Sequence, residues 1–264
     1  MSIDMLVESV LASPKYKDVS PQLVRNIGTQ ELSKRRTLKE ALKATKNKLH
    51  QMGGAYLEGV DYVRWLHELR ACADDKNELQ RVCRSIMIHH ASTRERLPIL
   101  DQFYTTLLAD LAPISSILDL ACGLHPLALP WMLLAEPVTY YAYDIYQHMM
   151  DFLQEWFALI GVQGHAETCD ILQACPTHPV DLAFVLKTIP CLEQLDKHAG
   201  QRLLQTINAR HLIVSFPVHS LAGKKKGMVA HYETQFRALL GDAPWAVKRV
   251  EFATELVFVV TKQR

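Results

Sequence analysis

The feature that most constrains the fold is a regular alternation of strand-like and helix-like segments after Pro113. The strand-like segments are short and rich in β-branched or aromatic residues: "SSILDLAC", "TYYAYDI", "HAETCDI", "VDLAFVLKTI", "HLIVSFP", "VKRVEFAT" and "ELVFVVTK". Helix-periodic segments, among them "HPLALPWMLL" and "EQLDKHAGQRLLQTI", separate most of them. This alternation is typical of a parallel sheet covered by helices on both faces. The last two strands have almost no residues between them, which predicts an antiparallel hairpin at the sheet edge.

The first 112 residues have a different pattern. Apolar residues recur at helical spacing in segments such as "IDMLVESVLA", "TLKEALKATKNKLHQM" and "NELQRVCRSIMIHH". Ser20 followed by Pro21 is typical of a helix start, where proline occupies the first helical position. We therefore predict an all-helical domain over residues 1–112 and an α/β domain over residues 113–264.

The composition is that of an ordinary globular protein, with 49% hydrophobic and 22% charged residues in a chain of 264. No apolar run reaches the length of a transmembrane helix, and Asp4 and Glu8 interrupt the first apolar segment. We therefore expect a cytoplasmic protein without a signal peptide or membrane segment. The six cysteines form no C-x-x-C pair and the histidines are scattered, which predicts reduced thiols and no metal site.

Charge is distributed unevenly along the chain. Residues 1–100 carry 17 Lys and Arg against 12 Asp and Glu, whereas residues 101–264 carry 12 against 16. A basic N-terminal region favours a polyanionic partner, although a solvated basic surface is the alternative. The candidate RNA-binding residues of this region are Lys34, Arg35, Arg36, Lys39, Lys43 and Lys46. No aromatic residues lie between them, so we expect contacts with the phosphates of folded RNA rather than stacking on single-stranded bases.

Acidic residues follow three successive strands of the predicted sheet. The first strand runs into Asp119-Leu-Ala-Cys-Gly123, the second ends at Asp144, and the third at Asp170 and Ile171. In open α/β sheets the ligand lies at these carboxyl ends. Asp144 is placed to accept hydrogen bonds from ribose hydroxyls, and Asp170 to accept one from an adenine amino group. The fourth strand ends at Leu186 and Lys187, an apolar wall followed by a cation.

Three carboxylates at one sheet edge repel a phosphate but suit a cationic cofactor. S-adenosylmethionine has a sulfonium, an ammonium, a ribose and an adenine, and it has no phosphate. A turn that need not hold a pyrophosphate requires little glycine, which accounts for the lone Gly123 where dinucleotide sites have three. The alternative is that each aspartate only forms a turn.

Two further segments contain candidate ligand-binding residues. In "HHASTRERLP", from His89 to Pro98, Ser92 or Thr93 is expected to cap a helix, with Glu95 completing a capping box. Arg94 and Arg96 would then oppose the helix dipole, which favours a nearby carboxylate such as that of the cofactor. The segment "SFPVHSLAGKKKGM", residues 215–228, is a cationic loop that could hold phosphates beside a target nucleotide, or simply be solvated.

At these segments the chain resembles the aminoglycoside-resistance 16S ribosomal RNA (guanine-N7) methyltransferases. The similarity rests on "VLASPKY", "HQMGGAYL", "HASTRERL", "LDLACGLHPLAL", "FVLKTIPCLE" and "SFPVHSLAGKKKGM", and it covers essentially the whole chain. The resemblance leads us to expect the greatest similarity to the acquired enzymes of Gram-negative pathogens. The resemblance implies a class I S-adenosylmethionine-dependent methyltransferase fold, with a seven-stranded, mostly parallel sheet preceded by a helical domain. It also implies a monomer that methylates a decoding-site guanine in the small (30S) ribosomal subunit.

The resemblance also assigns residues by matching motif. The implied cofactor-binding residues are Tyr56, His90, Ala91, Ser92, Arg96, Ala121, Gly123, Asp144, Asp170, Ile171 and Leu186. Arg96 is expected to bind the cofactor carboxylate, and Lys187 and Glu193 to face the target guanine. The implied RNA-binding residues of the cationic loop are His219, Lys224, Lys225 and Lys226. His219 and Ala222 depart from relatives that have arginine and glycine there, and a histidine is only partly charged near neutral pH.

The chemistry of guanine N7 sets what such an enzyme must do. N7 has an in-plane lone pair and no proton, so attack on a sulfonium methyl group needs no general base. Orientation of the reactants can then supply roughly 7–11 kcal/mol of the barrier reduction, once the guanine is unstacked. Alternatives are a methyltransferase of another RNA base or of a small molecule, and a non-catalytic RNA-binding protein. The basic N-terminal region and the cofactor-type residues argue against the last two. His125, where many methyltransferases have glycine, has no assigned role.

Overall fold

A computed structural model describes residues 2–51, 57–111, 113–132, 134, 137–218 and 227–262. Within these residues seven strands form one sheet, in the order β3-β2-β1-β4-β5-β7-β6. The strands are β1 Ser116–Leu120, β2 Thr139–Asp144, β3 Gln163–Thr168, β4 Val180–Leu186, β5 Ala209–Pro217, β6 Ala246–Glu251 and β7 Glu255–Thr261. Strands β1 to β5 pair in parallel, and β7 is antiparallel to both β5 and β6. The predicted α/β fold with a terminal antiparallel hairpin is confirmed.

Helices precede the sheet and cover both of its faces. The N-terminal helices are α1 Ile3–Leu11, α2 Pro21–Lys34, α3 Leu38–Leu49, α4 Tyr62–Ala71, α5 Lys76–Met87, α6 Ala91–Arg96 and α7 Leu100–Leu108. The later helices are α8 Gln147–Leu159, α9 Ile189–Glu193, α10 Ala199–Thr206 and α11 Met228–Leu240. Within the part of the chain described, none of the helices is long and apolar enough to cross a membrane.

Two predicted helices differ from the structure. The segment after β1 forms a 3-10 helix, His125–Trp131, rather than an α-helix. Pro126 and Pro130 lie in it, and proline has no N–H to donate to an α-helical hydrogen bond. The segment "EQLDKHAGQRLLQTI" contains the end of α9 and all of α10 instead of one helix. The Asp196 side chain accepts the His198 backbone N–H at 2.9 Å and so stabilises the turn between them.

The first three helices pack around an apolar core that is separate from the core of the sheet. Helices α1 to α3 share their own apolar cluster, which includes Leu6, Val10, Leu23, Val24 and Ala41. Thr37 and Glu40 form a capping box that fixes the start of α3. Helices α4 to α7 instead pack their apolar residues into the cluster on one face of the sheet. The predicted boundary at residue 112 lies just after α7, the last of the N-terminal helices. The apolar core, in contrast, divides between α3 and α4.

Strand β1 lies at the centre of the sheet and has buried side chains on both faces. Ile117 belongs to the cluster formed with helices α4 to α8, whereas Leu118 and Leu120 belong to the cluster beneath α9 to α11. Helices therefore cover both faces of the sheet. The carboxyl ends of the parallel strands are the edge at which a ligand can reach the strand termini.

Candidate cofactor site

The turn that follows β1 runs through two left-handed backbone positions. Ala121 and Gly123 both have φ of +53°. For alanine this conformation costs about 1–2 kcal/mol, so surrounding contacts must hold it. The Cys122 N–H donates to the Tyr143 carbonyl at 3.0 Å, which holds the turn against the end of β2. The segment 119–125 is called the cofactor turn below.

Gly123 has two neighbours that explain why this position carries no side chain. Its N–H donates to Asp144 Oδ2 at 2.8 Å. A Cβ atom on Gly123 would lie 2.6 Å from Cε1 and Nε2 of the His90 ring. From the sequence, the lone glycine was explained by a turn that holds no pyrophosphate, and the structure adds the approach of His90. Burial lowers the pKa of His90 to about 3, so its ring is neutral at ordinary pH.

Asp144 ends β2, as predicted, with a carboxylate that is largely withdrawn from solvent. Burial raises its pKa to about 6, while backbone N–H groups of Gly123 and Ile145 act in the opposite direction. The Ile145 N–H donates to Oδ1 at 2.6 Å and the Gly123 N–H to Oδ2. Each oxygen thus has one backbone donor and retains a lone pair for a ligand hydroxyl.

Asp170 lies two residues beyond β3, because the strand ends at Thr168 rather than at the predicted Asp170 and Ile171. The Leu172 N–H donates to Oδ1 at 3.1 Å, and the Asn26 side chain on α2 also hydrogen bonds the carboxylate. Burial raises the pKa of Asp170. A cavity of about 280 Å³ adjoins Asp170 and is called the α2 cavity below. Its lining residues are Leu23, Ile27, Gln30, Lys34, Lys48, Asp170, Leu172, Gln173, Leu195 and Asp196.

The part of the α2 cavity contributed by the N-terminal helices was not predicted from the sequence. Leu23 and Ile27 of α2 face Leu172 and Leu195 from the loops beyond the sheet. The cavity also has polar lining residues, among them Asp196, Lys34 and Lys48, but its four leucine and isoleucine side chains beside the Asp170 carboxylate suit a flat heterocycle. The sequence indicated the start of α2 at Ser20 and Pro21, but not which residues its apolar side chains contact.

Helix α6 begins differently from the prediction. His90 is its N-terminal cap residue and makes no side-chain cap, so the expected capping box of Ser92 or Thr93 with Glu95 is wrong. The Thr93 hydroxyl donates instead to the Met87 carbonyl at 2.6 Å. Because the helix has only six residues, Arg94 and Arg96 lie in its last turn, where cations are favourable. The dipole therefore does not require an anionic ligand there.

Arg96 has an internal carboxylate partner that the sequence analysis missed. Its side chain is fully buried, and Nε lies 2.8 Å from Glu255 Oε1. Lys187, with φ of +57°, places Nζ 3.3 Å from the same oxygen and 2.7 Å from Glu95 Oε2. Burial raises the pKa of Glu255, but Arg96 and Lys187 outweigh this and hold the pKa below its usual range. Within the described part of the chain, Nη1 of Arg96 has no hydrogen-bond partner.

The remaining predicted residues divide by location. Ala91, the first residue of α6, and Leu186, the last residue of β4, are buried. Ser92 is half-buried. Glu193 at the end of α9 accepts a hydrogen bond from Gln235 of α11, and burial raises its pKa. It faces α10 and α11 rather than joining the Arg96–Glu255–Lys187 group. Tyr56, His219, Lys224, Lys225 and Lys226 lie outside the described residues.

The basic residues of α2 and α3 surround an open cavity of about 470 Å³, called the basic cavity below. It is lined by Lys34, Arg35, Arg36, Glu40, Lys43, Ala44 and Asn47. Glu31 beneath it is buried and pairs with Arg35 at 3.2 Å and Lys48 at 2.8 Å. Lys39 is exposed but does not line the cavity, whereas Lys46 donates to Ser13 on the other side of α3.

Comparison with known proteins identifies close relatives over the whole chain. Residues 12–259 match the family profile described as ribosomal RNA methyltransferase (FmrO). The chain is 34% identical to the 16S rRNA (guanine(1405)-N(7))-methyltransferase of Micromonospora rosea, over 98% of this chain and 97% of that protein. It is 32% identical to the protein of the same name from Serratia marcescens, over 99% of each. Among solved structures, 16S rRNA methyltransferase RmtF in complex with S-adenosyl-L-homocysteine aligns over 100% of both chains, with a TM-score of 0.83 and 29% identity.

Proposed function

The chain belongs to the FmrO family of ribosomal RNA methyltransferases, and on this premise we propose that it transfers a methyl group from S-adenosylmethionine to N7 of a decoding-site guanine in 16S rRNA. The observation that carries the proposal is the match to guanine-N7 methyltransferases over 98% of the chain. Methylation at N7 gives the guanine a positive charge and a methyl group where an aminoglycoside would donate hydrogen bonds. The proposed consequence for the cell is resistance to these drugs.

The described residues fit S-adenosylmethionine. Asp144 has lone pairs free for ribose hydroxyls, and the α2 cavity beside Asp170 has the size and apolar walls that suit adenine. The unpartnered Nη1 of the buried Arg96 is a donor for the cofactor carboxylate. Ala121 and Gly123 let the backbone approach the ligand. Ile171 and Leu186 would form apolar walls, and the Ile171 N–H would donate to the adenine ring. The methionine end of the cofactor would be bordered by His90, Ala91, Ser92 and Tyr56.

The bound cofactor supplies an electrophilic methyl group on a sulfonium. The protein's part is to bind, orient and exclude water, since guanine N7 has no proton to remove. We propose that Lys187, which directly follows β4, and Glu193, at the end of α9, position the target guanine. The ammonium of Lys187 is largely buried between Glu95 and Glu255, so its charge is balanced before a cationic product forms beside it.

The proposed substrate is the 30S subunit, and the N-terminal region, residues 1–112, is its proposed docking surface. The basic cavity supports this assignment, because four cations, Lys34, Arg35, Arg36 and Lys43, line one open concavity. The buried Glu31 pairs with Arg35 and so limits the orientations of that side chain. Lys39 and Lys46, together with His219, Lys224, Lys225 and Lys226 of the cationic loop, would extend the contact. The enzyme would act as a monomer among cytoplasmic ribosomes, with residues 113–264 as the methyltransferase domain.

The decisive experiment is transfer of a radiolabelled methyl group from S-adenosylmethionine to purified 30S subunits, compared with free 16S rRNA and with small amines. We expect labelling of subunits and, after chemical cleavage at N7-methylated guanine, a single break in the decoding site. Labelling of amines alone would establish a small-molecule enzyme, and cofactor binding without any transfer would establish a non-catalytic protein. Expression in a susceptible bacterium should raise tolerance to gentamicin and kanamycin, whereas the Asp144→Ala variant should not.

A further inference from the structure

His125 lies at the end of the cofactor turn and uses both of its ring nitrogens in buried hydrogen bonds. Nδ1 lies 2.7 Å from Asp119 Oδ2, and Nε2 lies 2.8 Å from the Tyr104 hydroxyl. Asp119 Oδ2 also accepts the Tyr140 hydroxyl at 2.8 Å. Each of these four side chains is at most 2% exposed. Side chains from β1, β2, α7 and the end of the cofactor turn therefore meet in one buried polar group.

The donors and acceptors in this group are consistent with a neutral imidazole. An ionised Asp119 can only accept, so His125 donates from Nδ1. Nε2 of the neutral ring is then an acceptor, and the Tyr104 hydroxyl donates to it. Burial raises the pKa of Tyr104 further above its usual value, which keeps that hydroxyl protonated. Removal of the imidazole would leave Asp119 and Tyr104 buried without these partners, and such losses are costly.

The bond between Asp119 and His125 joins the two ends of the cofactor turn. The turn between them contains Ala121 and Gly123, both in the left-handed conformation. The His125 N–H also donates to the Cys122 carbonyl at 3.0 Å, within the same turn. An alanine remains in this conformation only when its surroundings determine it. The imidazole thus supplies a side-chain restraint where a turn with more glycine would need none.

The bond between His125 and Tyr104 joins the cofactor turn to the other half of the site. Tyr104 lies on α7, which follows α6 after a single 3-10 turn, Leu97–Ile99. Its neighbour Phe103 has its ring 5.0 Å from the guanidinium of Arg96. The imidazole of His125 is therefore one of the links that hold the cofactor turn against α7 and, through it, against α6 and its cap residue His90.

We propose that His125 is a positioning residue for cofactor binding, which acts by closing the cofactor turn onto Asp119 and anchoring it to Tyr104. It touches neither the cofactor nor the target guanine. The inference rests on the proposed cofactor site, because the turn matters to affinity only if the cofactor binds there.

Three substitutions separate the two bonds of His125. His125→Asn retains a donor near the position of Nδ1 and can keep the bond to Asp119, whereas His125→Gln can reach Tyr104 but not Asp119. His125→Phe keeps an aromatic ring and loses both bonds. By calorimetry with S-adenosylhomocysteine, we expect His125→Phe and His125→Gln to bind about tenfold more weakly, and His125→Asn to stay within about threefold of the parent. With 30S subunits, the KM for S-adenosylmethionine should rise while kcat stays nearly unchanged.

A core variant controls for a general loss of stability. Val82→Ala on α5 leaves a cavity in the apolar cluster between the helices and the sheet but removes none of the hydrogen bonds of His125, and it should lower the melting temperature without changing affinity. If His125→Phe does not fold, Tyr104→Phe removes only the bond to His125 Nε2, and its affinity should fall by about threefold, as expected at most for His125→Asn, which loses the same bond. Parental affinity in His125→Phe and His125→Gln, or an equal loss in Val82→Ala, would overturn the inference. A parent protein that fails to bind S-adenosylhomocysteine would instead refute the proposed cofactor site.

Discussion

Arg96 and Glu255 form a fully buried ion pair, 2.8 Å from Nε to Oε1, although 159 residues separate them in the chain. The pair connects α6 in the N-terminal region with the first residue of β7 in the sheet. Breaking a buried pair by removing one partner leaves an uncompensated charge in an apolar interior. The two parts of the chain are therefore joined electrostatically as well as by apolar packing.

Neutralising Glu255 should destabilise the whole protein. We expect Glu255→Gln to lower the free energy of unfolding by about 3–5 kcal/mol, because Arg96 and Lys187 both lose their shared carboxylate. Urea unfolding followed by circular dichroism measures this change. Glu251→Gln on the exposed strand β6 is the matched control and should change stability by less than about 1 kcal/mol. Equal changes in the free energy of unfolding would show that the buried pair contributes no more to stability than an exposed carboxylate.

Asp144 should make cofactor affinity depend on pH. Its pKa of about 6 in the folded protein lies above the ordinary value of 3.8. Above pH 6 the buried carboxylate is ionised, and this lowers the stability of the folded state. The contribution of Asp144 to stability therefore improves as pH falls from about 6 to about 4. Affinity for S-adenosylhomocysteine should instead decrease as pH falls, because protonation of Asp144 removes an acceptor for the ribose. The pKa of His90 lies near 3, so His90 remains neutral through this window.

The measurement is the dissociation constant of S-adenosylhomocysteine from about pH 5 to about pH 8, in the parent and in Asp144→Asn. We expect the parent to lose affinity below about pH 6, and the variant to bind at least about tenfold more weakly with a flat profile. Asp151→Asn, on the exposed side of α8, should behave as the parent. An Asp144→Asn profile that still falls with acid would assign the titration to another group.

Gly123→Ala should reduce cofactor binding through local strain. The position has φ of +53°, and a Cβ there would lie 2.6 Å from the His90 ring, so both the turn and His90 must shift. We expect at least about tenfold weaker binding of S-adenosylhomocysteine by calorimetry. Gly161→Ala is a close control, because its φ is +70° but no atom lies within 4 Å of the added Cβ. Similar losses of binding in both variants would attribute the effect to general strain instead.

Removing a cation from the basic cavity should weaken binding to the 30S subunit without affecting the cofactor. For Lys43→Ala we expect a higher KM for subunits and a salt dependence of binding that is shallower by about one unit of slope. Affinity for S-adenosylhomocysteine should be unchanged. Lys76→Ala, at the exposed start of α5, removes the same charge elsewhere on the N-terminal region. An unchanged salt slope in Lys43→Ala would remove the basic cavity from the proposed docking surface.

The sequence predicted the features that depend on local pattern. The order of strands and helices along the chain and the terminal hairpin follow from periodicity. The acids near the ends of β1 and β2 and just beyond β3 follow from the positions of Asp residues in the sequence. These features need no knowledge of how distant segments meet.

Features that depend on distant contacts could not be predicted in this way. Glu255 is the first residue of the mostly apolar strand β7, and nothing in its sequence neighbours indicates that it will face Arg96. The start of α6 was misassigned because Thr93 bonds to carbonyls before the helix instead of capping it. The contribution of α2 to the α2 cavity depends on how two separately stabilised parts pack together. In each case tertiary contacts outweighed a local preference.

The contact between Asn26 and Asp170 bears on how this enzyme could be inhibited. A methyltransferase that builds its adenine pocket from the sheet domain alone presents much the same surface to every adenosine analogue. Here Leu23 and Ile27 of the N-terminal region form one wall of the α2 cavity. An adenosine analogue extended toward that wall would meet side chains that host methyltransferases without this region lack. Selectivity would then come from the N-terminal region, the proposed docking surface, rather than from the strand ends of the sheet.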